Sequence, residues 1–486
     1  MKSSKSKSVA AKSARKSVSK PVIAKKSRGV AAKKPTRAAA VTRKLTKAAK
    51  TVKVVKKVKA AKPVKTVKPV KAAKPVKPAK VAARRLPSEG HYPLAGITVI
   101  DLSHIYNGPY ATFLMALAGA KVIKVEPHGG EHLRHRAALG GGAALPFAML
   151  NGNKEAVTMN LKSKRGKALL LDMVKRADIL VENFAPGATD RLGIGPADLR
   201  KINPRLIYAS SSGYGRSGPY RDFPAMDLTV QAMSGAMSVT GFPDGPPTKC
   251  GPALADFFAG IHLYGGIMTA LYDREKTGVG RMVEVSMQEA VYASLASNLG
   301  MYLGLGKKSP QRTGNRHGGM AEAPYNVYQA SDGWIAIICP SDRHWAGLIE
   351  AMQAPHLTTD ARFANLKLRV QNIDAIDEIV GGWTIKHSRQ YIVDKLQEFR
   401  VPHAPVRDMQ EVINDPHMHA RGTLQNIKHP EYGDITVQHS PMHYEGVARM
   451  PLRPSSRAGA DGKQVFVDWL GISRKEFNAL VKAGVL

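Results

Sequence analysis

Of the 73 Lys and Arg residues in this 486-residue chain, 30 precede Ser88, and no Asp or Glu accompanies them; the first acidic residue is Glu89. That segregation confines any packed core to the sequence beyond it. Residues 1–88 are low-complexity Lys/Ala/Val/Pro/Ser sequence, with a six-residue period in KPVKTV, KPVKAA and KPVKPA starting at Lys62, Lys68 and Lys74. Proline in each repeat interrupts a continuous helix and like charges extend the chain, so a disordered, solvated tail is expected. Charge this dense also predicts counterion-releasing, sequence-independent binding to DNA, RNA or another polyanion. The remainder holds 43 basic and 37 acidic residues, nearly balanced, so the basic character says nothing about partners of the folded part.

Folded sequence begins near Leu94. GITVIDL (96–102) reads as a buried strand, SHIYNGP as a turn, and YATFLMALAGA as a helix opened by Pro109 in its first turn. KVIKVE (121–126) is the next strand. The amphipathic helix KALLLDMVKRA, strand DILVEN (178–183), a further helix and strand RLIYASSSGYG continue the alternation. The fold class expected is α/β with a mostly parallel, Rossmann-like sheet. GxGxxG is missing from the first turn, which removes support for ordinary dinucleotide binding. Later, DREKTGVGRMVEVSM reads as a turn into a strand, and a long helix is expected from about Gln288 to Gly304. The segment KKSPQRTGNRHGGMAEAP (307–324) reads as a loop. YNVYQASDGWIAIIC reads as a hairpin with Asp332-Gly333 at its turn. Helices follow to about Phe399, PHAPV breaks the pattern, and short strands and a final helix close the chain. These patterns divide the chain into the tail (1–88), the first part of a large α/β domain (89–306), a small α+β domain (325–405) and a return to the large domain (406–486).

Two cysteines, Cys250 and Cys339, make neither a disulfide framework nor a metal-binding pattern. No metal is expected, and a reducing, cytoplasmic setting is, with nucleoid association through the tail. The basic, Ser-containing start offers mitochondrial import as the alternative. No uninterrupted apolar run reaches the length of about 18 residues that a membrane span needs, so no membrane partner is expected.

One stretch points to chemistry. CGPALADFFAG (250–260) sets a single carboxylate, Asp256, among small and apolar residues just before the apolar run IHLYGGIMTALY. A buried ionised group is costly unless something satisfies it. Two readings are open to these residues: a helix N-cap, for which Asp is well suited, or a nucleophile.

Five blocks in order carry a resemblance over 94–486. They are PLAGITVIDLSHIYNGPYATFLMALAGAKVIKVEP, ADILVENFAPGATDRLGIG, MDLTVQAMSGAMSVTGFPDGPP, KCGPALADFFAGIHLYGGIMTALYDREKTGVGRMVEVSMQEA and GNRHGGMAEAPYNVYQASDGWIAI. The chain resembles the family III CoA-transferases. The resemblance implies that Asp256 is the catalytic nucleophile, acting through a mixed anhydride and an aspartyl-CoA thioester. At a helix N-terminus its ionised form is expected to be favoured. No permanently bound cofactor is implied; coenzyme A enters as acyl-CoA substrate, and a carboxylic acid is the acceptor. Contacts to CoA and the acyl group are implied for His104 and Tyr106, where some relatives have Gln in place of Tyr106. Asn183, Phe184 and Arg191 match a CoA-contacting segment, and Lys162 is a further candidate for the phosphates. Where some relatives place an arginine, this chain has Pro127, which shifts that nucleotide contact to His128 or Arg134. Gly318 and Gly319 fall near a Gly-rich loop that covers the active site and has a longer glycine run in a relative; backbone N–H groups there suit a developing oxyanion. The family pairs two ring-shaped chains interlocked as a homodimer, and the same is implied here.

Two alternatives stand beside this reading. A 2-methylacyl-CoA racemase on the same fold would need an acid–base His where this chain has Met226, which cannot move a proton. A nucleic-acid-binding protein with a vestigial enzyme domain conflicts with the intact Asp256 block. The tail yields its own prediction. The full chain should bind duplex DNA without sequence preference and weaken steeply with salt, and removal of residues 1–87 should abolish binding. Gel shifts at two salt concentrations measure this; tight binding by the shortened chain would locate the activity elsewhere.

Overall fold

A computed structural model describes residues 91–136 and 144–486; the basic tail lies outside the described residues. The chain opens with β1 (Thr98–Asp101), α1 (Asn107–Leu117), β2 (Lys121–Glu126), α2 (Leu145–Asn151), β3 (Glu155–Thr158) and α3 (Lys164–Val174). It continues through β4 (Ile179–Glu182), α4 (Ala188–Leu192), α5 (Pro196–Ile202) and β5 (Ile207–Ser212). Then come α6 (Asp227–Met233), α7 (Ala236–Val239), α8 (Leu254–Thr277) and β6 (Met282–Ser286). The six strands form one parallel sheet in the order β3-β2-β1-β4-β5-β6. The chain runs outward from β1 to β3 and returns to β4 on the other side of β1. The carboxyl ends of β1 and β4 therefore border a topological switch point, where sheets of this kind open a cleft.

Both faces of the sheet are covered, so the strands read as nearly continuous apolar runs. One face packs against α3, α5 and the C-terminal residues Val465, Phe466, Leu470 and Leu486. The other packs against α1 and α8. Helix α8 is long and apolar enough, by length and composition, to cross a membrane. Here it is a core helix, packed on α1, β5 and β6. Gly260 permits its close approach to α1, since a Cβ there would stand 2.7 Å from the Asn107 carbonyl oxygen.

The single helix expected near 288–304 is interrupted. It is α9 (Met287–Tyr292), a 3₁₀ turn at Ala293–Leu295, and α10 (Ala296–Leu305). The Ser294 hydroxyl donates back to the Val291 carbonyl at 2.7 Å, a local bond of the kind that bends helices. The expected hairpin forms from β7 (Tyr325–Ala330) and β8 (Gly333–Ile338). Because Ala330 pairs with Gly333, its loop is Ser331-Asp332, one residue earlier than expected. PHAPV supplies a third strand, β9 (His403–Pro405), on β8. Around this sheet α11 (Asp342–Met352), α12 (Leu366–Gln371), α13 (Ile373–Thr384) and α14 (Arg389–Glu398) enclose a second apolar core that includes Tyr328, Ile335, Leu348, Ile376 and Leu396. A β10–β11 hairpin (Leu424–His429, Gly433–Gln438) follows.

Beneath the turn after β1 lies a set of buried charges. Asp101, at the end of β1, accepts from the Thr112 hydroxyl (2.7 Å), Lys154 Nζ (3.0 Å), the Ser103 amide (2.9 Å) and the Ser103 hydroxyl. Lys154 also reaches Asn151 Oδ1 at 2.8 Å and the Pro109 carbonyl at 3.0 Å. Lys124 donates to the Ser103 carbonyl and faces Glu131 at 3.5 Å. Burial opposes ionisation of Asp101, but Lys124, Lys154 and the hydroxyls hold its carboxyl far below the usual range. Burial pushes the Lys154 ammonium down to about 8 against the pull of Asp101. Removing one partner strands the other charge, so Lys154→Met should destabilise the chain by about 3–5 kcal/mol. Urea unfolding at pH 7 measures this, and Asp101→Asn combined with Lys154→Met should recover part of the loss.

Candidate active site

The turn after β1 is built for position. Ile105 has φ 66°, a left-handed conformation that a β-branched residue rarely adopts. Its amide donates to Glu131 Oε2 at 2.8 Å, which ties the strained residue to the buried charges. On its other side, Asn183 at the end of β4 straps the turn. Its Oδ1 accepts from the His104 amide at 2.9 Å, and its Nδ2 donates to the His104 carbonyl and Asn107 Oδ1, each at 2.8 Å. The His104 ring lies 5.3 Å from that of Phe184. Burial, with Lys124 and His132 adding to it, pushes the His104 imidazole down to about 4. It is neutral at pH 7, able to exchange hydrogen bonds but carrying no charge.

This turn forms one wall of a cleft of about 600 Å³ at the carboxyl ends of the strands. His104, Lys162 and Phe184 line it together, with Val125, Met159 and Leu161 making its apolar wall. Asn183 stands behind His104 as its strap. Arg191 is exposed on α4 beside the cleft residue Leu192, while Arg216 takes the nearby carboxylates of Glu182 (3.6 Å) and Asp190 (2.9 Å). Arg134 is not available to a nucleotide as expected. Glu126 holds it by two bonds of 2.7 Å, and its remaining reach goes to the Ser456 carbonyl at 2.9 Å. His128 does line the cleft, with Nε2 2.9 Å from the Gly484 carbonyl.

Asp256 sits in the first turn of α8 and is 8% exposed. It is not the N-cap; that position is Ala253. The helix end is instead served by Asp227 of α6, whose Oδ1 accepts from the Ala255 amide at 2.9 Å and Oδ2 from Gln231 Nε2 at 2.8 Å. The expectation that the helix end keeps Asp256 ionised is also corrected. Burial, reinforced by the Asp227 carboxylate and opposed by Arg136, pushes its carboxyl up to about 7. A helix N-terminus offers about 0.3–1 kcal/mol, while burying an ion costs several kcal/mol, so burial wins. The next residue, Phe257, stacks on Tyr106 (6.0 Å, 19°) and meets the edge of Tyr110 at 5.0 Å. Arg136 Nη1 donates to the Tyr106 hydroxyl at 3.0 Å. Aromatic rings thus join the β1 turn to the start of α8.

Gly318 and Gly319 lie apart from the cleft lining, against α10. Asn298 Nδ2 donates to the Gly318 carbonyl at 3.3 Å, and a Cβ on Gly319 would stand 3.2 Å from the Ser297 carbonyl oxygen. Arg316 fastens this loop to α13 through Asp377 (2.8 Å) and Asp374 (2.6 Å). Met226 is the N-cap residue of α6 and 56% exposed. Sequence reasoning missed Asp227, Arg136 and Asn107. Asp227 was visible beside Met226 in a recognisable block, but nothing local marked Arg136.

Residues 94–462 match the family described as CoA-transferase family III. The chain is 42% identical to the acetyl-CoA:oxalate CoA-transferase of Acetobacter aceti over 372 residues, covering 76% of this chain and 94% of that one. It is 33% identical to the formyl-CoA:oxalate CoA-transferase of Streptomyces coelicolor, covering 81% of this chain and 99% of that one. Among solved structures, a CaiB/BaiF family protein from Brucella suis superposes with a TM-score of 0.68 at 31% identity, over 78% of this chain and 99% of that one.

The position of Asp256 generates a pH prediction. Its carboxyl is raised, so between the ordinary aspartate range and about 7 the folded state holds a proton that the unfolded chain has released. Folding stability is therefore greater below that window and falls as pH rises through it. Asp256→Asn removes the penalty, and its melting temperature should exceed that of the wild type at pH 8 and approach it at pH 4. Thermal melts at both pH values test the sign.

Proposed function

Because the chain belongs to CoA-transferase family III and is a CoA-transferase acting on CoA thioesters, we propose that it carries CoA from an acyl-CoA to a carboxylic acid by covalent chemistry on Asp256. An Asp256 carboxylate oxygen attacks the thioester carbonyl, the C–S bond breaks, and CoA leaves as thiolate from a mixed anhydride. The thiolate then attacks Cγ of Asp256, releasing the donor acid as carboxylate and forming aspartyl-CoA. The acceptor carboxylate attacks the same Cγ, expels the thiolate and forms a second anhydride. A final thiolate attack on the acceptor carbonyl yields the new CoA ester and regenerates the Asp256 carboxylate. No net proton or electron is exchanged.

The burial of Asp256 carries this reading. Both covalent intermediates are uncharged at the aspartyl group, so an environment that disfavours the carboxylate favours the acylated forms. Exclusion of water also protects an anhydride from hydrolysis. The cleft supports an assignment of contacts to CoA: Phe184 and the apolar wall for its uncharged parts, Lys162 and Arg191 at the rim for phosphates, His104, Tyr106 and Asn183 near the thioester. The likeness to two oxalate transferases supports a short dicarboxylate as acceptor. An oxyanion role for Gly318 and Gly319 requires their loop to approach Asp256. An interlocked homodimer belongs to the same proposal. The exposed Tyr272, Tyr292, Tyr302 and Leu303 around α8 to α10 give it an apolar surface suited to a second copy. Racemisation has less support, because Met226 offers no acid or base.

Acyl-CoA alone, without acceptor, should leave an adduct that hydroxylamine converts to a hydroxamate on the peptide bearing Asp256. Asp256→Ala should fold yet lose both adduct and turnover, as read by mass spectrometry and circular dichroism. Near-normal CoA transfer by that folded variant would end the proposal.

A further inference from the structure

We infer that Arg136 is a specificity-determining residue that holds the second, non-reacting carboxylate of a dicarboxylic acceptor. The inference rests on the CoA-transfer reading above and adds to it the group that selects the acceptor.

Two arginines lie two residues apart before residues 137–143, and the structure treats them differently. Arg134 is consumed, chelated by Glu126 and packed over the Phe147 ring at 3.7 Å. Arg136 is exposed, and its hydrogen bond among the described residues goes to a phenol, Tyr106, with no carboxylate at ion-pair distance. The next residues in sequence, AALGGGA, bring no acid. A guanidinium has five donors in a planar fork that matches a carboxylate. One is directed to Tyr106, and among the described residues no other is engaged.

Its place gives that charge a purpose. The guanidinium lies 5.9 Å from the centre of the Tyr106 ring, Tyr106 stacks on Phe257, and Phe257 adjoins Asp256. Arg136 thus stands one aromatic layer from the nucleophile, close enough to act on its titration. A dicarboxylate brings two negative charges toward a site already holding Asp256 and Asp227. The reacting carboxylate loses its charge on forming the anhydride, but the distal one does not, and it needs a cation throughout. Among the described residues Arg136 meets that need with nothing else to neutralise. A monocarboxylate gains little from it. The competing view, that Arg136 merely balances Asp256, makes a different forecast, since a change in the nucleophile affects all acceptors alike.

The test uses the full chain with acetyl-CoA as donor. Acceptors are oxalate, malonate and succinate on one side, and acetate (isotopically labelled), propanoate and butanoate on the other, with CoA esters separated by chromatography. The wild type should favour dicarboxylates. Arg136→Leu should lower their kcat/KM by about 10- to 100-fold, mainly through KM, with a much smaller loss for monocarboxylates. Arg136→Lys, which keeps the charge but not the fork, should retain part of the preference. Equal losses for both kinds of acceptor, an unchanged preference in Arg136→Leu, or a wild type indifferent to the second carboxylate would each overturn the inference. Should Arg136→Leu fail to fold, Arg136→Gln serves the same comparison. Adduct formation from acetyl-CoA alone separates the two levels. If the Asp256 adduct forms without dicarboxylate selectivity, only the role of Arg136 falls; if no adduct forms, the covalent reading falls and takes this one with it.

Discussion

The site hangs from charges sealed beneath the first turn. Asp101 and Lys154 are almost wholly buried, and Lys124 and Glu131 continue the set toward Ile105. Buried ions of this kind seldom add net stability compared with apolar packing. Their contribution here is orientation. Asp101 fixes Ser103, Lys124 fixes the Ser103 carbonyl, and Glu131 holds the amide of an isoleucine in a conformation that isoleucine disfavours. The strain at Ile105 turns His104 toward the cleft and Tyr106 toward Phe257. Without the charges underneath, the Asn183 strap alone would hold that turn.

A second feature arises from burial. Two titratable groups of the candidate site are both driven toward their neutral forms, His104 to about 4 and Asp256 to about 7. Both groups therefore carry little charge near neutrality, while Lys162 lines the cleft and Arg191 is exposed beside it. That division suits a substrate whose reacting thioester is neutral and whose anionic groups are distant from it. Under the proposed mechanism it also lets one site accept an acyl-CoA, release an acid and admit a different acid without rebuilding its electrostatics at each step.

Much of the sheet was legible because its strands are buried on both faces and separated by helices with clear periodicity. KVIKVE and DILVEN needed no tertiary information. The edge strand β3, EAVT, escaped notice because four residues without an apolar run look like a loop; it exists because β2 offers it a ladder. The break at Ser294 and the one-residue shift of the hairpin loop are local hydrogen-bond choices that composition does not settle. At the site, Asp256 stood out as a lone carboxylate in apolar sequence, and that much was visible. Its protonation was not, because desolvation belongs to the folded environment. Arg136 gave no signal at all, since its meaning lies in what surrounds it.

The least legible choice explains the most about Asp256, the proposed nucleophile. An aspartate at an N-cap accepts backbone N–H bonds, and such bonds hold a carboxylate ionised and occupy its lone pairs. In this chain Asp227, distant in sequence, takes that duty from α6 and accepts the Ala255 amide. Asp256 sits in the first helical turn, and among the described residues burial, Asp227 and Arg136 act on its carboxyl, with no hydrogen bond among them. Under the proposed mechanism this spares it donors that would weaken a nucleophile, and Asp227 nearby raises its basicity further. The helix is capped by Asp227, and among the described residues no donor occupies the Asp256 carboxylate. Two carboxylates at one helix end, one satisfied and one not, thus divide, under the proposed mechanism, structural and chemical work that a single residue could not perform together.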